Sequence, residues 1–345
     1  MRTLPLRLSP IEGESLPGYV VRYAHTFEIP PGEVVRAFGL GDTIAEAGRY
    51  WARLSAQQLE RASIATGIDH DRLQAMVLAR FADRAFPQAS ISAPNAVPAE
   101  PRAHELTWRS RFCPQCLREH GAWLLRWQLS WSVACTRHEL PLARRCRSCG
   151  AIPRIGAHAR SPRDHAGELS DPTRCWHRRP QRELCRARLT RQKPAKATDI
   201  ALLPAQRRID ALLDGHLTPT FAGEKLEPAA YLRDLRALSA LLHKLQWPFR
   251  TSRQLLDQPR ALASVLSEAV RLADLPDKTA FSDALRNHFD LHHQLLAPIV
   301  LHQFSPFRYP LQHTTSEATP HPTPSRLTVN PSGHEHPSIA EDAGS

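Results

Sequence analysis

Between Arg111 and Gly150 the chain reads RFCPQCLREHGAWLLRWQLSWSVACTRHELPLARRCRSCG, and this stretch carries three close pairs of metal-ligand side chains. They are Cys113 with Cys116, Cys135 with His138, and Cys146 with Cys149. Two residues between ligands let a tight turn aim both side chains at one ion, and two such turns fill the four tetrahedral positions of a structural zinc. The simplest partition assigns Cys113, Cys116, Cys135 and His138 to one zinc. Cys146 and Cys149 then need two further ligands downstream, and Cys175 and Cys185 are the cysteines left to supply them. His177 stands as an alternative to Cys175. The expectation is thus one Zn2+, with room for a second.

Disulfide bonding is the competing use of paired cysteines. Seven cysteines would leave one unpaired, and Met1-Arg-Thr-Leu-Pro-Leu-Arg7 has no apolar stretch long enough for export. The chain is expected to be cytoplasmic with reduced thiols.

The ordered series of motifs resembles a family. A proline and arginine lead-in begins at Pro5, Glu14-Ser15-Leu16 follows, and Tyr19 to Ala24 begins the first helix. About ninety residues later come Phe112-Cys-Pro-Gln-Cys-Leu117, a segment with Trp123, Trp127 and Trp131, then Cys135-Thr-Arg-His138, Leu142 and Cys146-Arg-Ser-Cys-Gly150. Together these look like the TniQ/TnsD family of transposon target-selection proteins, over roughly residues 4 to 190. The departure is at the end of the second ligand set. There the family tends to show another close cysteine pair, and this chain has the wide Cys175 to Cys185 spacing. The resemblance implies recruitment of an AAA+ ATPase of the TnsC/TniB type. In some members it implies delivery by an RNA-guided complex, and it leaves catalysis to a transposase.

Charge points to a polyanionic partner. The formal net charge is +11 over 345 residues. From Arg102 to Lys196 there are 19 Arg and 2 Lys against 7 acidic residues, an excess of +14 that is larger than that of the whole chain. Arginine suits phosphate contacts because its planar fork donates in pairs. Arg144, Arg145 and Arg147 surround the Cys146 knuckle and are the candidate DNA-binding residues.

The fold class expected is mainly α with small zinc-binding β elements. Residues 1–90 read as an N-terminal helical unit. Leu16, Tyr19, Val20, Tyr23 and Ala24 form one apolar face, and a short helix spans Glu33 to Phe38. Ser55 caps Ala56 to Thr66, Gly67 breaks that helix, and Asp69 caps a helix carrying Leu73, Met76, Val77 and Phe81. This last pair is a candidate helix-turn-helix. Residues 91–104 form a proline-rich linker, and 105–195 the zinc-binding domain. Within that domain the alternation of Leu125, Trp127, Leu129 and Trp131 predicts a short strand with one buried face, and Ala151 to Leu169 a loop. Trp108, Trp123, Trp127 and Trp131 are expected to serve a small core. Residues 196–308 read as a C-terminal helical unit with helices over Ile200 to Leu213, Tyr231 to Leu245 following Pro228, Ala261 to Leu272, and Phe281 to Leu296. The Pro, Ser, Thr and His rich tail 309–345 reads as disordered. No apolar run approaches the roughly 20 residues needed to span a bilayer.

Three function classes follow. The first is a zinc-stabilised, non-catalytic adaptor that helps select or mark the target site. A zinc ribbon transcription regulator without a transposition role is the alternative. A zinc hydrolase or nuclease is disfavoured, since four Cys/His ligands close the first site and no paired acidic residues suit a two-metal centre.

Overall fold

The computed structural model describes residues 4–41, 52–86, 110–153, 171–177, 183–193, 201–246, 259–288 and 301–307. The linker 91–104, Trp108, most of the loop expected after Ala151, and the tail 309–345 lie outside them. Among the described residues the structure is mostly helical with a few two-residue strands, in accord with the expected class.

Among the described residues, four helices open the chain. α1 spans Leu16–Thr26, α2 Pro31–Ala37, α3 Ala56–Thr66 and α4 His70–Ala75. Ser15 caps α1 by accepting from the Gly18 N–H, and the Leu16 N–H, which has no partner within the helix, donates to Met76 O at 2.8 Å. Leu16, Tyr19, Val20, Val34, Phe38, Leu59, Leu73 and Met76 fill the core between these helices. Tyr19 and Tyr23 donate their hydroxyls to Leu8 O and Leu6 O, which fastens the lead-in across α1. Ser55 and Gln58 form a reciprocal capping box at the start of α3, and Gly67 ends it with φ at 72°. α4 is shorter than its apolar spacing suggested. It stops at Ala75, Met76 and Val77 leave the helix, and Phe81 belongs to a 3-10 turn over Leu78–Phe81. The reason is tertiary: Leu78, Phe81 and Phe86 turn away from the first core and pack with the C-terminal helices.

Among the described residues the C-terminal helices are α6 (Leu202–Asp214), α7 (Pro228–Gln246), α8 (Pro259–Ala273) and α9 (Lys278–Arg286), with α5 lying earlier at Pro114–His120. α9 ends ten residues before the expected Leu296, with Asn287 as its C-cap. Ile209, Leu212, Leu235, Leu238, Val265, Leu266 and Phe281 build the largest core, around a cluster of Phe221, Phe281 and Phe304 rings. β3 (Thr220–Phe221) and β4 (Glu224–Lys225) form a hairpin whose turn residues Ala222 and Gly223 both have positive φ, at 49° and 79°.

The segment Leu125 to Trp131 is not a strand. Leu125–Gln128 is a 3-10 helix, Leu129 is extended and Ser130 and Trp131 lie in a turn, although Leu125, Trp127, Leu129 and Trp131 are all buried. The alternation arises because this segment is wedged between two cores. Trp123 and Trp127 face the cysteine-rich one, while Leu125, Leu129 and Trp131 face the C-terminal helices. Gln206 of α6 locks the second contact, its Oε1 accepting from Val133 N and Ala134 N at 2.8 and 3.1 Å. Arg126 adds ion pairs to Asp210 and Asp214. On the other side, Gly13, Glu14 and Ser15 pair antiparallel with Leu125, Leu124 and Trp123, so the entrance of α1 is stitched to the tryptophan segment.

Candidate metal centres

All seven cysteines of the chain and His138 converge into two quartets. Cys113, Cys116, Cys135 and His138 form one; Cys146, Cys149, Cys175 and Cys185 form the other. Within each, the candidate ligand atoms lie within 4.8 Å of one another, and no two sulfurs are bonded.

Local structure explains the first quartet. Cys113 precedes α5, Pro114 starts that helix with the φ it needs, and Cys116 sits one turn in. The Cys116 N–H points at Cys113 Sγ. Cys135 ends β1 (Ala134–Cys135), which pairs with β2 (Leu140–Pro141), and the turn between them carries His138 back with Glu139 at φ 55°. The His138 N–H bonds to Cys135 Sγ. Phe112 pairs with Ala143 through both of its backbone groups, which brings the α5 turn beside this hairpin.

The second quartet is closed by a device that sequence spacing hid. Cys146 to Gly150 is a tight knuckle, with the Gly150 N–H on Cys146 O at 2.8 Å and φ at 68°, where a side chain would be strained. Its partner is a pair of antiparallel arms. Leu189 N donates to Thr173 O, Cys175 N to Ala187 O, and Cys185 N to His177 O. In that register Cys175 and Cys185 are diagonal neighbours whose side chains share a face, so nine intervening residues are no obstacle. The ring of His177 is not a member of the quartet. His177 serves instead through its backbone, the N–H bonding to Cys175 Sγ and the carbonyl accepting from Cys185.

The interatomic edges test what fits. A tetrahedral ion with Zn–S bonds of about 2.3 Å and a Zn–N bond of about 2.0 Å requires S–S edges of about 3.8 Å and S–N edges of about 3.5 Å. The Cys116–Cys135 edge is 3.6 Å, and the Cys149–Cys175 and Cys146–Cys185 edges are 3.7 and 3.9 Å. His138 Nδ1 lies 3.5, 3.2 and 3.5 Å from the sulfurs of Cys113, Cys116 and Cys135. Disulfides would need about 2.05 Å. Each quartet therefore fits one tetrahedral ion, and a dication of the zinc type matches both donor sets, one of three thiolates with an imidazole and one of four thiolates. Four protein ligands fill such an ion, so neither site keeps the open position that a catalytic zinc uses.

Electrostatics agree. Hydrogen bonds with Cys113 and Cys135 push the Cys116 thiol far above its ordinary value, while hydrogen bonds with Cys113 and Cys116 hold Cys135 well below it. Cys175 is also pushed up, in its case chiefly by burial. A dication supplies the charge that lets every thiol ionise, so uptake must release protons.

Side chains around the first quartet were not legible from spacing. Glu119 Oε1 is 2.8 Å from His138 Nε2, and its other oxygen is 3.0 Å from Arg137 Nη2. The His138 hydrogen bond, with the neighbouring cations, holds the Glu119 carboxyl below the usual range. Burial and Arg137 likewise push His120 down toward its neutral form. The one hint in the sequence is that Glu119 follows Cys116 by three positions on a helix.

The three arginines singled out by charge divide. Arg145 and Arg147 are exposed, and Arg145 Nη1 donates to Gly150 O. Arg144 is half-buried with its Nε shielded from water. The exposed rim extends to Arg118, Arg186, Arg188, Arg191 and Lys193, tied to the knuckle by Gln192, which bonds the Arg147 N–H and Arg145 O. Within the α3–α4 pair, α4 shows His70, Asp71 and Gln74 to solvent, and Arg72 turns toward Pro10 O. Among the described residues no helix is long and apolar enough to cross a membrane.

A search of curated proteins returns no match. The TniQ family model matches residues 5–142. That span takes in α1 to α4, the pairing of residues 13–15 with 123–125, and the whole first quartet, and it ends before Cys146. Over residues 5–142 the chain is similar to the TniQ family, a transposition-associated domain family.

Proposed function

We propose that this protein is a zinc-stabilised, non-catalytic adaptor of DNA transposition, which helps select or mark the target site and recruits an AAA+ ATPase of the TnsC/TniB type. The observation that carries this reading is the pair of closed four-ligand quartets inside the basic segment, the first of them within the TniQ match. Cys113, Cys116, Cys135 and His138 would hold one Zn2+, and Cys146, Cys149, Cys175 and Cys185 another. The ion supplies folding free energy and no reaction, since bound structural zinc is worth about 10–16 kcal/mol in peptide models and much of that is folding.

DNA contact is assigned to the rim of the second quartet, with Arg145 and Arg147 as its centre and Arg144 in a supporting place. The knuckle holds these side chains on a fixed loop, and the all-cysteine centre with a dication, at roughly two negative charges, does not cancel the surrounding arginines. Backbone contacts of this kind give affinity and salt dependence without sequence readout. Each phosphate left unneutralised should flatten the slope of log K against log salt by about 0.9.

The test is a salt titration of duplex DNA binding, starting near about 50 mM, for the wild type and for Arg145→Gln with Arg147→Gln. The slope should flatten by the equivalent of about two phosphates with zinc content intact. No wild-type binding, or an unchanged slope, would assign the arginines to a protein partner. Co-purification with an AAA+ ATPase of the same element separates the adaptor from a transcription regulator, which would recover none.

A further inference from the structure

His138 uses its two ring nitrogens differently. Nδ1 faces the three sulfurs at 3.2 to 3.5 Å, and Nε2, across the ring, lies 2.8 Å from Glu119 Oε1. An imidazole that ligates a metal is neutral with its lone pair on the ligating atom, so the single ring proton must sit on Nε2. Glu119 is the acceptor placed to receive it. Its other oxygen takes Arg137 Nη2 at 3.0 Å, Arg137 Nη1 meets His120 Nε2 at 3.1 Å, and His120 Nδ1 donates to Cys116 O at 2.6 Å. The circuit starts at one ligand and returns to the backbone of another.

We infer that Glu119 is a positioning residue of the first metal centre, fixing the tautomer and the ring orientation of His138. The helix makes this economical. Cys116 and Glu119 stand three residues apart on α5, so one turn presents a ligand to the ion and a carboxylate to the far side of His138. An ion pair with Arg137 alone would be a surface contact of small value, since both side chains are largely exposed. The hydrogen bond to His138 is different, because the ring is nearly buried and its orientation decides whether a fourth ligand is delivered.

The inference rests on the zinc reading above, and the second quartet, which has no histidine, is its internal reference. Full-length protein loaded with zinc is titrated with a chromophoric chelator, comparing wild type, Glu119→Ala and Glu119→Gln. Removing an outer-shell partner typically weakens a metal about 10- to 100-fold. Glu119→Ala should therefore yield one of two equivalents at correspondingly lower chelator, with the other unmoved, and Glu119→Gln should fall between. Cobalt(II) loading adds a second readout, because the spectrum of the centre with one nitrogen ligand should change and that of the all-sulfur centre should not. If Glu119→Ala folds poorly, the Gln variant is read in the same way. Wild type with two equivalents and variants that release both as it does would overturn this inference and leave the zinc reading standing. Wild type without bound zinc would overturn both.

Discussion

Glu14 is fully buried, and both its oxygens are taken. Arg22 Nε and Nη2 donate to them at 2.8 and 2.7 Å, and the Ile11 N–H adds a third bond at 3.0 Å. Removing one partner of such a pair strands a desolvated charge, so Glu14→Ala should lose about 3–5 kcal/mol in urea unfolding. A loss below about 1 kcal/mol would mean that Arg22 finds water on opening. The cysteines allow a sharper residue-level distinction. Cys185→Ser should remove one zinc equivalent, whereas His177→Ala should leave both, because His177 acts through its peptide group. Metal analysis of the two variants decides this, and loss of zinc from His177→Ala would put its ring in the ligand set. The six ligands in close pairs were legible in the sequence because close spacing is a local property, whereas Cys175 and Cys185 were reached only as the cysteines left over. Which residue closed the second quartet was not legible, since the answer depends on the register of two arms.

At the level of elements, two polar side chains fasten the tryptophan segment from opposite sides. Ser15 Oγ accepts from the Gly18 N–H and donates to Trp123 O at 2.9 Å, and Gln206 accepts two backbone N–H groups from the other side. Ser15→Ala should cost about 1–2 kcal/mol through the missing cap. Gln206→Leu should cost roughly 1–3 kcal/mol, because it leaves buried donors without an acceptor. Thermal denaturation of both variants checks these values, and wild-type stability in either would show that the segment is held by packing alone. Gly18 adds a steric limit, since a Cβ there would meet Ser15 Oγ, Trp123 Cβ and Trp123 O at 3.0 Å each. The helix boundaries at Ser55, Gly67 and Pro228 could be read from caps and breakers, which act over a single turn. The tryptophan segment could not. Its period of two reports burial on alternate sides, and that pattern is shared by a strand and by a 3-10 turn lying between two cores. The pairing of residues 13–15 with 123–125 joins positions more than a hundred residues apart, beyond any periodic signal.

For the molecule as a whole, the cysteine-rich core has the least apolar material of the three cores among the described residues. Phe112, Leu117, Trp123, Trp127, Leu142 and Leu189 pack around the two quartets. The same segment carries the entrance of α1 on one side and α6 on the other. Metal loss should therefore spread beyond the cysteines and loosen the helices docked on that segment. The measurement that bears most directly on the account is metal content of the purified full-length protein, with circular dichroism followed through chelation. Two equivalents of zinc are predicted, with cooperative loss of helical signal as chelator removes them, and Cys116→Ser and Cys185→Ser should each bind one equivalent fewer. Less than about half an equivalent in the wild type, with a fold indifferent to chelator, would contradict it.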